Sequence, residues 1–314
     1  MKIGVFTEGG FTGKISKDHP NMRTDIAWWY ALDAIHHPLN TLHELSDNLY
    51  DFGIVIIPKK RQYLLDYPLL KHLKRVCKKV ATMQESTYYY WQDDPIQEQI
   101  WYYNFIMEMD LIFCHNEPDL KYYRGITNKR CEIMPTLMIT DYVKTSDVKT
   151  DSVMIGGNFV SAYGGFDSYL VAKEISNDIW APTTGRMKEE ERGMDINHVD
   201  WVMWLDWMYE LSKHKYGVQL GTAAAGTFNL NCAYLGIPCI GYNNVNTQVK
   251  CHSKLGVDVG DVETARRLAK QLCDDTDFYD KCSIGAKQKY EELFKKKVYI
   301  NTMNKIIGEV IYND

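Results

Sequence analysis

The chain has 314 residues, about twice a common single-domain length, so two domains of roughly 150 residues each are expected. Hydrophobic residues make up 45% and charged residues 25%, a balance that excludes disordered, collagen-like and fibrous classes. A formal net charge of −5 excludes a global basic field, so any polyanion site must be local. In chain order, an apolar run at residues 2–6 predicts a first strand, followed by the glycine-bearing loop EGGFTGK and a helix over residues 25–36. FGIVIIP at residues 52–58 predicts a strand, residues 63–79 a helix and KVATMQES a further strand. A helix over residues 96–109 runs into the strand MDLIFCHN, and CEIMPT closes the first half.

Residues 140–152, TDYVKTSDVKTDS, have no apolar periodicity and predict a linker, giving a first domain over 1–143 and a second over 151–290. The pattern then restarts with the strand SVMIGGNF, the loop VSAYGG, the helix FDSYLVAKEI and the strand IWAP. After the polar loop TTGRMKEEERGMD come the amphipathic segment WVMWLDWMYELSKH, the strand YGVQLGT, the helix AGTFNLNCAYLG and the strand IPCIGY. In the amphipathic segment Trp201, Trp204, Leu205, Met208 and Leu211 have helical spacing and predict core. The remainder is helical by period, and the last helix, within 291–314, is expected to pack back on the first domain. Alternating strands and helices predict an α/β protein of two Rossmann-like domains facing a cleft, with ligands outside the carboxyl ends of the strands.

Eight cysteines (Cys77, Cys114, Cys131, Cys232, Cys239, Cys251, Cys273 and Cys282) contain no C-x-x-C pair and predict buried thiols in a reducing compartment. No signal-peptide pattern opens the sequence, and no apolar run has the length of a membrane span, so a cytoplasmic protein is expected.

The first loop is not a P-loop: Glu8 stands where the first glycine belongs and Ile15 where magnesium needs Ser or Thr. Gly9 and Gly10 serve either a flexible turn or a close backbone approach to a ligand. Asp25, at the start of the next helix, is either a cap or a general base for an acceptor hydroxyl. His115, at the end of an apolar strand, is either structural or a cleft residue. Between residues 58 and 79, Lys59, Lys60, Arg61, Lys71, Lys74, Arg75, Lys78 and Lys79 face a single acid, Asp66. This run is either a solvated helix face or a surface for an anionic acceptor, with Lys71, Lys74, Arg75 and Lys78 as its contacts. The aromatics Tyr88, Tyr89, Tyr90, Trp91, Trp101, Tyr102 and Tyr103 either pack in the core or stack on bases or sugars.

In the second half, GVQLGTAAAGTFNLNCAYLGIPCIGYNNVNTQ resembles the donor domain of GT-B glycosyltransferases. Gly226, Thr227 and Phe228 match the helix start that meets a nucleotide-sugar diphosphate there, LGIPCIG matches the turn and strand, and residues 243–248 match the polar loop. The first half resembles the acceptor domain of the same group. The resemblance implies sugar transfer from a nucleotide-diphosphate sugar, with Asn243 and Gln248 near the donor and no metal or other cofactor. Ala223 and Asn231 stand where many retaining members carry a Glu pair, and GGNFVSAYGG lacks the basic pair that grips the diphosphate. Donor charge then falls to backbone, to Ser161, Thr222 and Thr227, or to Arg186. Bacteriophage DNA base glycosyltransferases share the architecture, and the basic segment makes a hydroxymethylated base in DNA the narrower acceptor. A nucleotide-sugar 2-epimerase on the same scaffold and a non-catalytic nucleotide-binding protein are the alternatives.

Overall fold

The computed structural model describes residues 1–312 except 59–61, 85, 158, 160, 184–190, 192, 224 and 225. It divides into two units: Met1–His19, Thr24–Pro135 and Lys296–Asp314 form the first, and Pro20–Arg23 with Thr136–Lys295 the second.

In the first unit the strands are β1 (Ile3–Thr7), β2 (Ile35–Pro38), β3 (Tyr50–Ile57), β4 (Cys77–Gln84), β5 (Leu111–Cys114) and β6 (Arg130–Ile133). The helices are α1 (Thr24–Ala31), α2 (Leu69–Val76), α3 (Tyr89–Gln92), α4 (Ile96–Met107) and α5 (Glu117–Ile126). All strand pairs are parallel, in the order β2-β1-β3-β4-β5-β6. Parallel sheets need cover on both faces, and every residue of β1 is buried accordingly. Leu69, Leu73 and Val76 of α2, Tyr102, Phe105 and Ile106 of α4, and Leu120 and Tyr123 of α5 join one core with the strands.

Two expected helices are shorter than their periodicity. The helix from residue 25 ends at Ala31, because Asp33 adopts a left-handed φ of +50° and the chain turns into β2. The helix from residue 63 starts only after Pro68 and ends at Val76, so Lys78 and Lys79 belong to β4 and not to a basic helix face. Of the predicted stacking aromatics, Trp91 and Tyr102 are buried, and Tyr88 stacks on Tyr122 with ring centres 4.2 Å apart.

The second unit contains β7 (Thr150–Ile155), α6 (Gly165–Ala172), β8 (Ile179–Pro182), β9 (Asn197–Val199), α7 (Trp204–Ser212) and β10 (His214–Gln219). It continues with α8 (Thr227–Leu235), β11 (Cys239–Tyr242), α9 (Asn246–Cys251), β12 (Gly256–Val257), α10 (Val262–Asp274) and α11 (Thr276–Leu293). The order is β12-β11-β10-β7-β8-β9, again all parallel. Trp204, Met208 and Leu211 are buried as their spacing requires, whereas Trp201 lies before the helix and is exposed. Seven cysteines are buried, and Cys273 is exposed, contrary to expectation.

The last helix, α12 (Lys296–Tyr312), belongs to the first unit. It buries Tyr299, Met303, Ile306 and Ile307 and pairs Glu309 with Arg130 at 2.6 Å. Among the described residues no helix is long and apolar enough to cross a membrane, and no group of three His, Cys, Asp or Glu is placed to hold a metal ion.

Gly164 joins the 3-10 turn Ser161–Tyr163 to α6 at a φ of +61°, and a Cβ there would lie 1.8 Å from the Leu220 carbonyl oxygen. Both the backbone conformation and the space demand glycine. Gly164→Ala is expected to cost at least about 2 kcal/mol, read as a lower urea midpoint with unchanged slope.

Candidate functional site

Sheet order locates the sites. In the first unit the order reverses between β1 and β3, and in the second between β7 and β10. Connections leave such strand pairs toward opposite faces, which opens a crevice outside their carboxyl ends.

At the first of these ends, β1 runs into the loop of residues 8–14. Thr7 Oγ1 donates to the Gly9 carbonyl at 3.0 Å, and the Phe11 carbonyl accepts from His36 Nδ1. Gly13 and His36 exchange backbone hydrogen bonds of 3.0 and 2.8 Å. With the Gly9 and Phe11 carbonyls turned inward, planarity of the peptide unit turns the amides of Gly10 and Thr12 outward. Gly9 and Gly10 are exposed on that rim. Asp25 is the second residue of α1, half-buried, and accepts from Thr24 Oγ1 at 3.1 Å. Its charge acts on His36, so the carboxylate lies within electrostatic reach of the loop's anchor. His115 follows β5 and is buried against the Trp28 ring at 6.1 Å, while Trp28 Nε1 donates to the Pro135 carbonyl at 2.9 Å.

In the second unit, the Gly156 backbone amide donates to the Val218 carbonyl and the Gln219 side-chain Nε2 donates to the Gly156 carbonyl at 2.5 Å. These bonds tie the ends of β7 and β10 together. Thr222 and Ala223 both donate backbone hydrogen bonds to Ala162, and the Thr222 carbonyl accepts from Asn244 Nδ2 at 2.9 Å. Helix α8 then begins at Thr227, behind Gly226 at a φ of +86°. Among the described residues no side chain caps it, and its first turn holds no acid, so its leading amides and dipole suit an anion. Helix α6 is also uncapped but carries Asp167 in its first turn, which disfavours an anion there.

Several residues expected to meet the donor are structural. Gln248 is fully buried: Asn229 Nδ2 donates to its oxygen at 2.8 Å, and its nitrogen faces the Cys239 and Leu255 carbonyls at 3.0 and 3.1 Å. An amide so engaged has nothing to offer a sugar hydroxyl. Asn231 is buried, with its amide among the indole nitrogens of Trp204 and Trp207 and the Thr227 carbonyl. Phe228 packs its ring on Gly156, where a Cβ would come within 2.2 Å of it. Gly226 is required by φ and by Thr247, whose hydroxyl would lie 2.3 Å from a Cβ, so bulk at 226 strains the fold whatever is bound. Thr222 and Thr227 remain half-buried at the crevice, and Asn243 is exposed with its backbone amide on Val257. Arg186 and the side chain of Ser161 lie outside the described residues.

Lys59, Lys60 and Arg61 of the basic segment lie outside the described residues, and four of its other cations are engaged. Lys74 pairs with Glu108, Lys78 with Asp51 at 2.7 Å and Lys79 with Asp110 at 3.5 Å. Arg75 binds Asp47 and the carbonyls of Leu42 and Leu45, so it fastens a loop and does not present a free charge. Sequence reasoning missed Thr7 and His36, because the first fell between the expected strand and the glycine loop and the second at the end of an expected helix. Nothing in the local pattern singles them out.

No protein-family model matches the sequence, and no curated protein is similar to it in sequence. Solved structures are similar in fold. Sucrose-phosphate synthase from Thermosynechococcus elongatus gives a TM-score of 0.72 at 10% identity, covering 100% of both chains. HepE from Anabaena in complex with UDP and glucose gives 0.66 at 9% identity, covering 98% of this chain and 100% of that one. The trehalose 6-phosphate synthase of Burkholderia multivorans gives 0.61 at 10% identity, covering 86% of this chain and 72% of that one. The fold is therefore the GT-B fold, built from two Rossmann-like units.

The buried network around Gln248 includes His252, whose Nε2 faces the Asn229 carbonyl at 2.9 Å. Burial pushes its pKa down to about 4, and does the same for His214. An unfolded chain therefore takes up these protons first, from about pH 6.5 downward. Stability is expected to fall progressively from about pH 6.5 towards 4, measured as urea midpoints across that range. Replacing both histidines with glutamine is expected to flatten this part of the profile.

Proposed function

We propose that the protein transfers a sugar from a nucleotide-diphosphate sugar to an acceptor hydroxyl. The observation that carries this reading is the uncapped, acid-free start of α8 at the point where the second sheet reverses its order. Such a start favours an anion through backbone alone, which suits a loop without the usual basic pair. HepE holds UDP and glucose on a similar fold, so a UDP-linked hexose is the first donor to test. No cofactor besides the donor enters the reading.

In the proposed step the acceptor oxygen bonds to the anomeric carbon as the bond from that carbon to the diphosphate oxygen breaks. The leaving diphosphate takes the electron pair, stabilised by the α8 amides, and Asp25 takes the hydroxyl proton. Gly9 and Gly10 line the acceptor side with outward backbone, and His115 stands at the end of β5 in the same unit. Incubation with a panel of nucleotide sugars, with mass detection of nucleotide and sugar products, tests the activity. Free sugar without any acceptor is the epimerase outcome, and binding without turnover is the non-catalytic one. Asp25→Asn is expected to lower turnover by roughly 10²-fold or more with donor affinity retained. Wild-type turnover in that variant removes Asp25 as the base.

The narrower acceptor is a hydroxymethylated base in DNA, and its support is the basic segment. The ion pairs of Lys74 and Lys78 offset part of that charge, although exposed pairs are weak and exchange readily for phosphate. Because Arg75 is needed by its own loop, the informative variant is Lys71→Glu with Lys74→Glu. On this reading duplex binding, followed by fluorescence anisotropy, weakens steeply with salt and is lost in the double variant. Undetectable binding at low salt removes DNA from the acceptors.

A further inference from the structure

One buried side chain meets the acceptor-side loop at several points. His36 is fully buried in β2, with Trp29 of α1 stacked on its ring at a centroid distance of 4.0 Å. Its Nδ1 faces the Phe11 carbonyl and its Nε2 faces Thr7 Oγ1 at 2.9 Å. Its backbone bridges Gly13, and a Cβ on Gly10 would come within 2.8 Å of the ring. Through ring and backbone, His36 therefore touches the loop at residues 7, 10, 11 and 13. Thr7, which reaches the Gly9 carbonyl, is itself held by the imidazole, while Lys14 at the far end of the loop pairs with Asp33 at 2.6 Å on the exposed surface.

We propose that His36 is the positioning residue of the acceptor-side site, anchoring residues 8–14 so that the Gly10 and Thr12 amides face outward beside Asp25. The part of this inference that concerns an acceptor rests on the sugar-transfer reading above, whereas the anchoring does not. The proton inventory fixes how the anchor works. A carbonyl only accepts, so Nδ1 carries a hydrogen to Phe11; in the neutral ring Nε2 is an acceptor, and the one Thr7 hydrogen is shared in turn between it and the Gly9 carbonyl. The charged groups facing the ring are Asp25 on α1 and His37 beside it on β2, with Lys2 acting on His37. Burial holds the His36 pKa below that of an exposed histidine, against the opposing pull of Phe11 and Asp25. A proton therefore binds more tightly to a released ring than to an anchored one, so acid favours release of the loop.

Hydrogen exchange of the full chain, read by mass spectrometry, tests the anchor directly. In His36→Ala the peptide spanning residues 6–14 is expected to exchange roughly tenfold faster or more, as loss of two hydrogen bonds implies. Peptides from β4, β5 and the second unit keep wild-type rates. His36→Gln restores much of the protection, because a carboxamide can donate to Phe11 and accept from Thr7. In the wild type, loop protection corrected for intrinsic rate falls as pH drops below about 6.5 while the sheet stays protected. This arm stands even where the alanine variant fails to fold. Unchanged loop exchange in His36→Ala, equal acceleration throughout the first unit, or a flat pH response overturns the anchor. Where turnover is measurable, His36→Ala raises the acceptor KM with donor affinity unchanged, and an unchanged KM overturns the positioning role. Absence of turnover with any nucleotide sugar is a failure of the sugar-transfer reading, which the exchange measurement separates from a failure of the anchor.

Discussion

The pairing of β10 with β7 brings together two chain ends far apart in sequence, and the second unit's crevice exists because of it. Once those strands lie parallel, their following turns must leave for opposite faces, and the space between them is bounded by Gly156, Gln219 and the Leu220 carbonyl. The turn before α6 then comes so close to Leu220 that only glycine fits at 164. The α8 amides are placed by the same pairing, because the loop that carries them is laced to Ala162 and to Asn244. A ligand site made of helix-start backbone asks nothing of side chains except that they stay small and out of the way.

Much of this frame was legible in the sequence, for a physical reason. Strands buried on both faces read as unbroken apolar runs, as in Ile3–Thr7 and Tyr50–Ile57, and the restart at β7 marks a second sheet. Strand β2 was hidden because its core carries two histidines, whose burial is satisfied by Thr7, Phe11 and Tyr50 and not by apolar neighbours. The break that precedes it rests on a left-handed aspartate, which periodicity does not register. Helix α2 was overextended because the cations of β4 continue its charge pattern after the backbone has already become a strand.

The site was less legible, since polar residue types do not declare whether their partners are internal. Gln248, Asn229 and His252 form a buried polar cluster that joins α8 and α9 to the sheet. A loop amide and a core amide have the same letter, and the distinction appears only with the partners. Arg75 is similar: its charge suggested a polyanion, while its fork of donors is spent on the carbonyls that close the 3-10 segment at Leu39–Glu44. Conversely, Thr7 and His36 carry the first loop without belonging to any motif.

The placement of α12 bears on the order in which the molecule can be assembled. The first sheet is complete by Ile133, but the helix that buries Tyr299 and Met303 in the first unit is synthesised only after Thr136–Lys295. During translation the first unit therefore waits with part of its apolar surface uncovered while the second unit is made. The Arg130 guanidinium, pairing with Glu132 on its own strand, can receive Glu309 only after the second unit has been made. Closure of the first unit thus waits on a helix made after the second, and loss of α12 would damage the half of the protein made first.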